Sequence, residues 1–164
     1  MIYGSTILRA VAQRTGFNFK HVESTACPIV QSGAWPTDPS KAVALLLLAL
    51  PLKAKPKEVA PLAASYFNLS ADGYGTAGEL IGRMLDSFIN RAHTDFSAWA
   101  YRSRIEVYAT ATPAVTITTP CTDGQFIIEY ATPKWRDSTV RHSNILSGKA
   151  LFDIAADISM KVAA

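Results

Sequence analysis

The sequence predicts an α+β fold: a helical N-terminal half, one long central amphipathic helix, and a C-terminal antiparallel sheet of three or four strands. Apolar residues recur at three- and four-residue steps between positions 76 and 104. The period changes to two from Arg104 onward, and the links between the alternating runs are too short for crossover connections. With 164 residues, 49% hydrophobic and 18% charged, the chain is sized for one domain over 1–164, mainly helical over 1–103 and mainly antiparallel β over 104–164.

Taken in order, residues 5–14 read as a short helix with Ile7, Leu8, Val11 and Ala12 on one face, capped by Ser5 and closed by Gly16. Residues 17–23 alternate enough for a short strand or extended arm. Residues 27–36 are irregular by their proline, glycine and serine content, and so long a connector suits an arm around a neighbour or a binding loop. Asp38 then caps the most apolar segment, with Pro39 at the first helical position and Pro51 as the stop. The run 42–50 is apolar nearly all round but well short of the roughly twenty residues that cross a bilayer. It reads as a buried central helix, with a subunit interface as the alternative, and no membrane partner is expected. A further helix over 58–67 carries Val59, Leu62, Ala63 and Tyr66.

The main helix is expected over 76–104. Thr76 and Glu79 form a capping-box pair, and Leu80, Ile81, Met84, Leu85, Phe88, Ile89, Ala92, Phe96 and Trp99 make the apolar face. Alternating or β-rich runs at 104–110, 114–119 and 125–131 then predict consecutive antiparallel strands. Pro113, Pro120 and the Thr122-Asp123-Gly124 tripeptide mark the turns. Residues 132–148 read as irregular. The last stretch fits two templates: Leu151, Ile154, Ala155, Ile158 and Val162 suit a helix, while an unbroken alternation from Phe152 to Val162 suits a strand, and the strand is the preferred reading.

Few residues suggest covalent chemistry. Gly73, Gly75 and Gly78 match the G-x-G-x-x-G phosphate-binding pattern, but that pattern is diagnostic inside a βαβ unit, and here a helix precedes and antiparallel strands follow. No cofactor is expected. His21, His93 and His142 lack metal-ligand spacing, and no G-x-S-x-G elbow or close carboxylate pair is present, so neither a metal nor a catalytic residue is assigned. Cys27 and Cys121 have no cysteine framework around them and are expected as reduced thiols, with a disulfide as the alternative.

Two basic clusters remain. Lys53, Lys55 and Lys57 form a charged turn, and Lys134, Arg136 and Arg141 surround Trp135 in a loop. Both are candidate nucleic-acid contacts, although a net charge of +3 is mild for such a partner. Trp35, Trp99, Tyr101, Arg102, Trp135 and Arg136 are the interface candidates, since Trp, Tyr and Arg are enriched at binding hot spots. The charged fraction lies below the usual quarter of a soluble chain, which implies apolar surface covered by another subunit.

Together these features predict a non-enzymatic subunit of a homo-oligomeric assembly, specifically a capsid, connector or tail component of a virus or phage, with other assembly subunits as further partners. The start of the sequence lacks signal-peptide features, so the expected location is the virion or host cytoplasm. The alternatives are a small nucleic-acid-binding or regulatory protein using basic loops 53–57 and 134–142, and a ligand-binding domain or enzyme with a pocket near Tyr74 and Trp99.

Overall fold

Asp38 has an extended backbone, and its Oδ1 accepts hydrogen bonds from the amides of Ser40 and Lys41 at 2.8 and 3.2 Å. Helix α3 (Pro39–Ala49) therefore starts where the Asp-Pro pair predicts. The computed structural model describes residues 2–137 and 142–162. Every residue from Ala42 to Leu50 is buried, so α3 beyond its first turn has no solvent face and lies at the centre of the helical half. A 3₁₀ turn (Leu50–Leu52) holds Pro51 and ends the helix, and Lys53, in the left-handed region at φ 49°, redirects the chain.

Around α3 pack α1 (Ile2–Thr15), α2 (Phe19–Gln31) and α4 (Pro56–Phe67). Two expectations are corrected here. First, α1 begins before Ser5, which is therefore not its cap. Second, residues 17–23 are not an extended arm, and 27–36 are not irregular throughout, because α2 runs through both. Asn18 Oδ1 accepts from Lys20 N at 2.8 Å, and Val22, Thr25, Ala26 and Ile29 form one buried helical face that outweighs the break expected at Pro28. Tyr66 of α4 is fully buried, and its hydroxyl donates to Tyr108 O at 2.6 Å.

A small hairpin of β1 (Ser70–Ala71) and β2 (Gly75–Thr76) accounts for the glycine motif. Gly73 and Gly75 take positive φ of 79° and 71° to make the turn. Gly78 lies against the Phe67 ring so closely that a Cβ there would overlap it. All three glycines thus have a conformational or packing reason.

The long helix expected over 76–104 is two helices. In α5 (Ala77–Ile89) the capping box is formed as expected, with Glu79 N to Thr76 Oγ1 at 3.2 Å and Thr76 N to Glu79 Oε2 at 3.3 Å. Asn90 then ends it, Arg91 adopts φ 51°, and Thr94 opens α6 (Asp95–Arg102) with a second capping box to Ser97 at 3.1 and 2.9 Å. The apolar period continues through Ala92, Phe96 and Trp99, which hides the break in the sequence.

The sheet comprises β3 (Arg104–Tyr108), β4 (Ala114–Cys121), β5 (Gly124–Ala131) and β6 (Ser143–Ser147), all antiparallel in the order β5-β4-β3-β6. Two details differ from expectation. Pro120 is paired with Gln125 inside β4, beyond Thr118, the last residue paired with β3, rather than in a turn. The segment 132–148, expected to be irregular, contains a 3₁₀ turn (Trp135–Asp137) and the edge strand β6. Ile105, Val107, Val115, Ile117, Ile128 and Tyr130 face inward and share one core with Leu46, Leu48, Ile81, Met84 and Leu85 of α3 and α5.

The final element is a helix, α7 (Gly148–Val162), so the strand reading of 151–162 is overturned. Leu151, Ile154, Ala155 and Ile158 are buried, while Phe152 and Met160, which a strand would place on the same side as Ile154 and Ile158, are exposed. Alanine and aspartate, poor strand formers, decide between the two templates. α7 packs on α1 and α5, with Arg14 and Asp157 in a bidentate pair at 2.7 and 2.8 Å, so the chain after residue 103 returns to the helical half.

Candidate interaction surfaces

A concavity of about 1100 Å³ lies among α1, α2, the segment before α3, and the ends of α5 and α7. Its lining is mostly apolar, and exposed Phe19 and Val30 of α2 belong to it, as do half-buried Trp35 and exposed Cys27. Both cysteines are free, and Cys27 lies on a helix rather than in a loop. A second concavity of about 650 Å³ is bounded by the end of α5, α6 and α7, with Tyr101, Phe152 and Met160 around it and Arg91, His93 and Asp95 also in its lining. Tyr101 and Phe88 both meet the Phe152 ring edge-on, at 5.7 and 5.5 Å, so Phe152 is fixed although 44% exposed. Ser159 lines both concavities, which makes the outer side of α7 the ridge between two apolar hollows.

The interface candidates read from the sequence separate into two groups. Trp35 and Tyr101 line these hollows. Trp99 is half-buried and stacks on Phe96 at 5.6 Å, packing against the core, and exposed Arg102 donates from Nε to Ala98 O at 3.3 Å. Trp135 and Arg136 lie on the other side of the molecule's sheet. Trp135 is only 6% exposed, tilts against Tyr108 at 5.0 Å, and donates from Nε1 to Glu129 Oε1 at 2.9 Å. Arg136 donates to Glu129 Oε2 at 2.6 Å and lies 5.6 Å from the Trp135 ring centre. This indole therefore closes the outer face of its own sheet.

Glu129 holds that clasp. Burial pushes its carboxyl up, but the hydrogen bonds from Arg136 and Trp135, with the charge of Arg136, outweigh burial and hold it below its ordinary value of 4.5. A carboxyl with a depressed folded value adds stability above 4.5 and loses it as the pH falls through that lower value. The Trp135 indole N–H resonance is thus expected to move in a titration whose midpoint lies below 4.5, and Glu129→Gln is expected to abolish that step. A midpoint above 4.5 would contradict this assignment.

Of the nucleic-acid candidates, Lys53 and Lys55 are exposed on the turn between α3 and α4, Lys57 is exposed in the first turn of α4, Lys134 is exposed, Arg136 is paired with Glu129, and Arg141 lies outside the described residues. Tyr74 packs edge-on against Phe126 at 6.0 Å, and neither Tyr74 nor Trp99 lines the two concavities described above. Among the described residues, no three His, Cys, Asp or Glu side chains gather where they could hold a metal ion. No described helix is long and apolar enough to cross a membrane.

Sequence reasoning missed Phe19, Val30, Phe152 and Met160 as surface residues. The signal for the first two was the helical spacing of 19–31, whose buried face leaves Phe19, Glu23, Cys27 and Val30 on the other side. No protein-family model matches this chain, and comparison with curated proteins and with solved structures yields no match.

Proposed function

We propose that this chain is a non-enzymatic structural subunit of a homo-oligomeric assembly, and that the assembly is a virus or phage particle component: a capsid, connector or tail piece. The observation that carries the reading is the pair of apolar hollows that meet at Ser159 on α7. Phe19, Val30, Tyr101, Phe152 and Met160 are exposed around them, where a lone domain gains solubility from charge. The low charged fraction of 18% supports the same reading. Burying such side chains between copies contributes about 1.5–3 kcal/mol each where burial is complete. The particle would locate the chain to the virion or the host cytoplasm, with other assembly subunits as further partners.

Electron microscopy of the purified protein tests the class. Rings, tubes or shells built from one repeated unit are expected, and uniformly dispersed single domains of 17.7 kDa would count against the proposal.

A further inference from the structure

Strand β6 is the outer strand on its side of the sheet, and its register specifies which backbone groups are open. Ala109 N donates to His142 O at 2.9 Å, and Gly148 N to Ser103 O at 2.7 Å, one pair at each end of the β3–β6 ladder. Bonded and non-bonded pairs alternate in antiparallel sheets, so Asn144 and Leu146 bond to β3 while Ser143 and Ile145 turn their N–H and C=O outward; Ser147 turns its N–H outward, and its Oγ and C=O serve the first turn of α7. Among the described residues, no backbone group pairs with that edge. An open edge of this kind is a template for another strand.

Beside the edge lies an apolar crevice of about 160 Å³. Its floor is Leu48, Ile81, Ile105 and Val107, with Leu146 of β6 on one side and Phe17 on the other. An apolar cavity of about 150 Å³ takes up benzene, so this crevice matches one phenylalanine or leucine side chain. A strand laid along β6 would pair a residue with Ile145 and turn its neighbours to the inner face, where the crevice opens beside Asn144 and Leu146. Edge and crevice are thus in register for one side chain of an extended segment.

The lip formed by Gly16 and Phe17 also borders a shallower hollow containing His21 and Lys53. His21 Nε2 lies 3.0 Å from Leu50 O, and Lys53 is exposed at the start of the turn that carries exposed Lys55 and leads to exposed Lys57 in the first turn of α4. No acidic side chain lines either hollow. Glu106, on the outer face of the sheet, accepts from Ser143 Oγ at 2.6 Å, so the positive charge lies on the inner side, at Lys53, and complements an anionic partner there.

We propose that the open edge of β6 and the crevice beside it form a strand-addition site for an extended, acidic segment of a partner protein, which inserts one large apolar side chain. Backbone bonds to Ser143, Ile145 and the Ser147 N–H supply affinity, the crevice selects the side chain, and the lysines at 53–57 select the charge. This site uses none of the residues in the two hollows around α7, so it stands or falls separately from the assembly reading.

The test is an NMR titration with short blocked peptides of alternating serine and threonine, with phenylalanine at the centre and glutamates at both ends. Shifts are expected at residues 143–147 and 15–17. Affinity should drop about tenfold or more when alanine replaces the phenylalanine. Lysine ends in place of glutamates, or N-methylation of the peptide amides that face β6, should weaken binding comparably.

Ile145→Pro removes an N–H that faces the open edge and not β3, so the fold should persist while binding is lost. The absence of shifts at β6, equal binding of the alanine and phenylalanine peptides, or undiminished binding by the N-methylated peptide would each overturn the proposal. Undiminished binding by folded Ile145→Pro would do the same.

Discussion

Replacing Gly148 with alanine is expected to lower the thermal midpoint by about 6–12 °C, the consequence of a cost near 3 kcal/mol in a chain of this size. Gly148 is where β6 stops and α7 starts, and its N–H donates to Ser103 O at 2.7 Å. A Cβ there would overlap the carbonyl oxygen of Ala100 and lie 2.6 Å from that of Tyr101, and both are backbone atoms at the end of α6. Neither a rotamer change nor a small helix shift relieves a clash on two carbonyls at once. Gly82 supplies the contrast. It is buried in α5, yet the nearest atom to a Cβ there is Lys41 Cγ at 3.6 Å, an ordinary contact. Gly82→Ala should be neutral or stabilising by about 0.5–1 kcal/mol, because alanine is the better helix former. Melting curves of the two variants at one protein concentration separate these cases, and a Gly148→Ala midpoint equal to that of the parent protein would refute the close approach.

Truncations on two sides of α3 are expected to be costly together. Leu46 belongs to the main core, whereas Leu45 faces a smaller cluster with Ile29, Val59 and Ala63 of α2 and α4. Each Leu→Ala change should cost about 2–5 kcal/mol by urea denaturation, since each opens a cavity in a packed environment. A helix position that faces water tolerates such a change within about 0.5 kcal/mol, and Leu45 would be one if α3 were an ordinary surface helix with Leu46 at the centre of its buried face. A tolerant Leu45→Ala would therefore contradict the central position of α3.

The elements that were legible in the sequence were those where local chemistry and tertiary position agree. Asp38-Pro39, Thr76 with Glu79, and the alternation of β3, β4 and β5 belong to this group. Failures arose where one strong local signal masked another. Pro28 suggested a break, although Asn18 and the spacing of Val22, Ala26 and Ile29 define α2. The break at Asn90–Thr94 was concealed because the apolar spacing continues across it, and the Thr94–Ser97 capping box was the readable clue. In α7 the two periods coincide over Ile154 and Ile158, so only alanine and aspartate content favoured the helix before its packing on α1 and α5 was known.

The candidate surfaces were legible only in part, for a related reason. Trp35 and Tyr101 line the apolar hollows. Trp135 carries the same composition signal beside Arg136, yet its indole bonds to Glu129 and covers its own sheet. Composition marks a residue as able to bury area; it does not say whether the surface buried belongs to the same chain. The open edge of β6 left still less trace, because Ser143, Asn144 and Ser147 resemble loop residues until β3 supplies the pairing.

Light scattering on size-fractionated protein over a wide concentration range tests the assembly claim most directly. The proposed assembly predicts a mass several times 17.7 kDa that falls on dilution or on substitution of Val30 by glutamate at the apolar groove. A mass of 17.7 kDa at every concentration would contradict it.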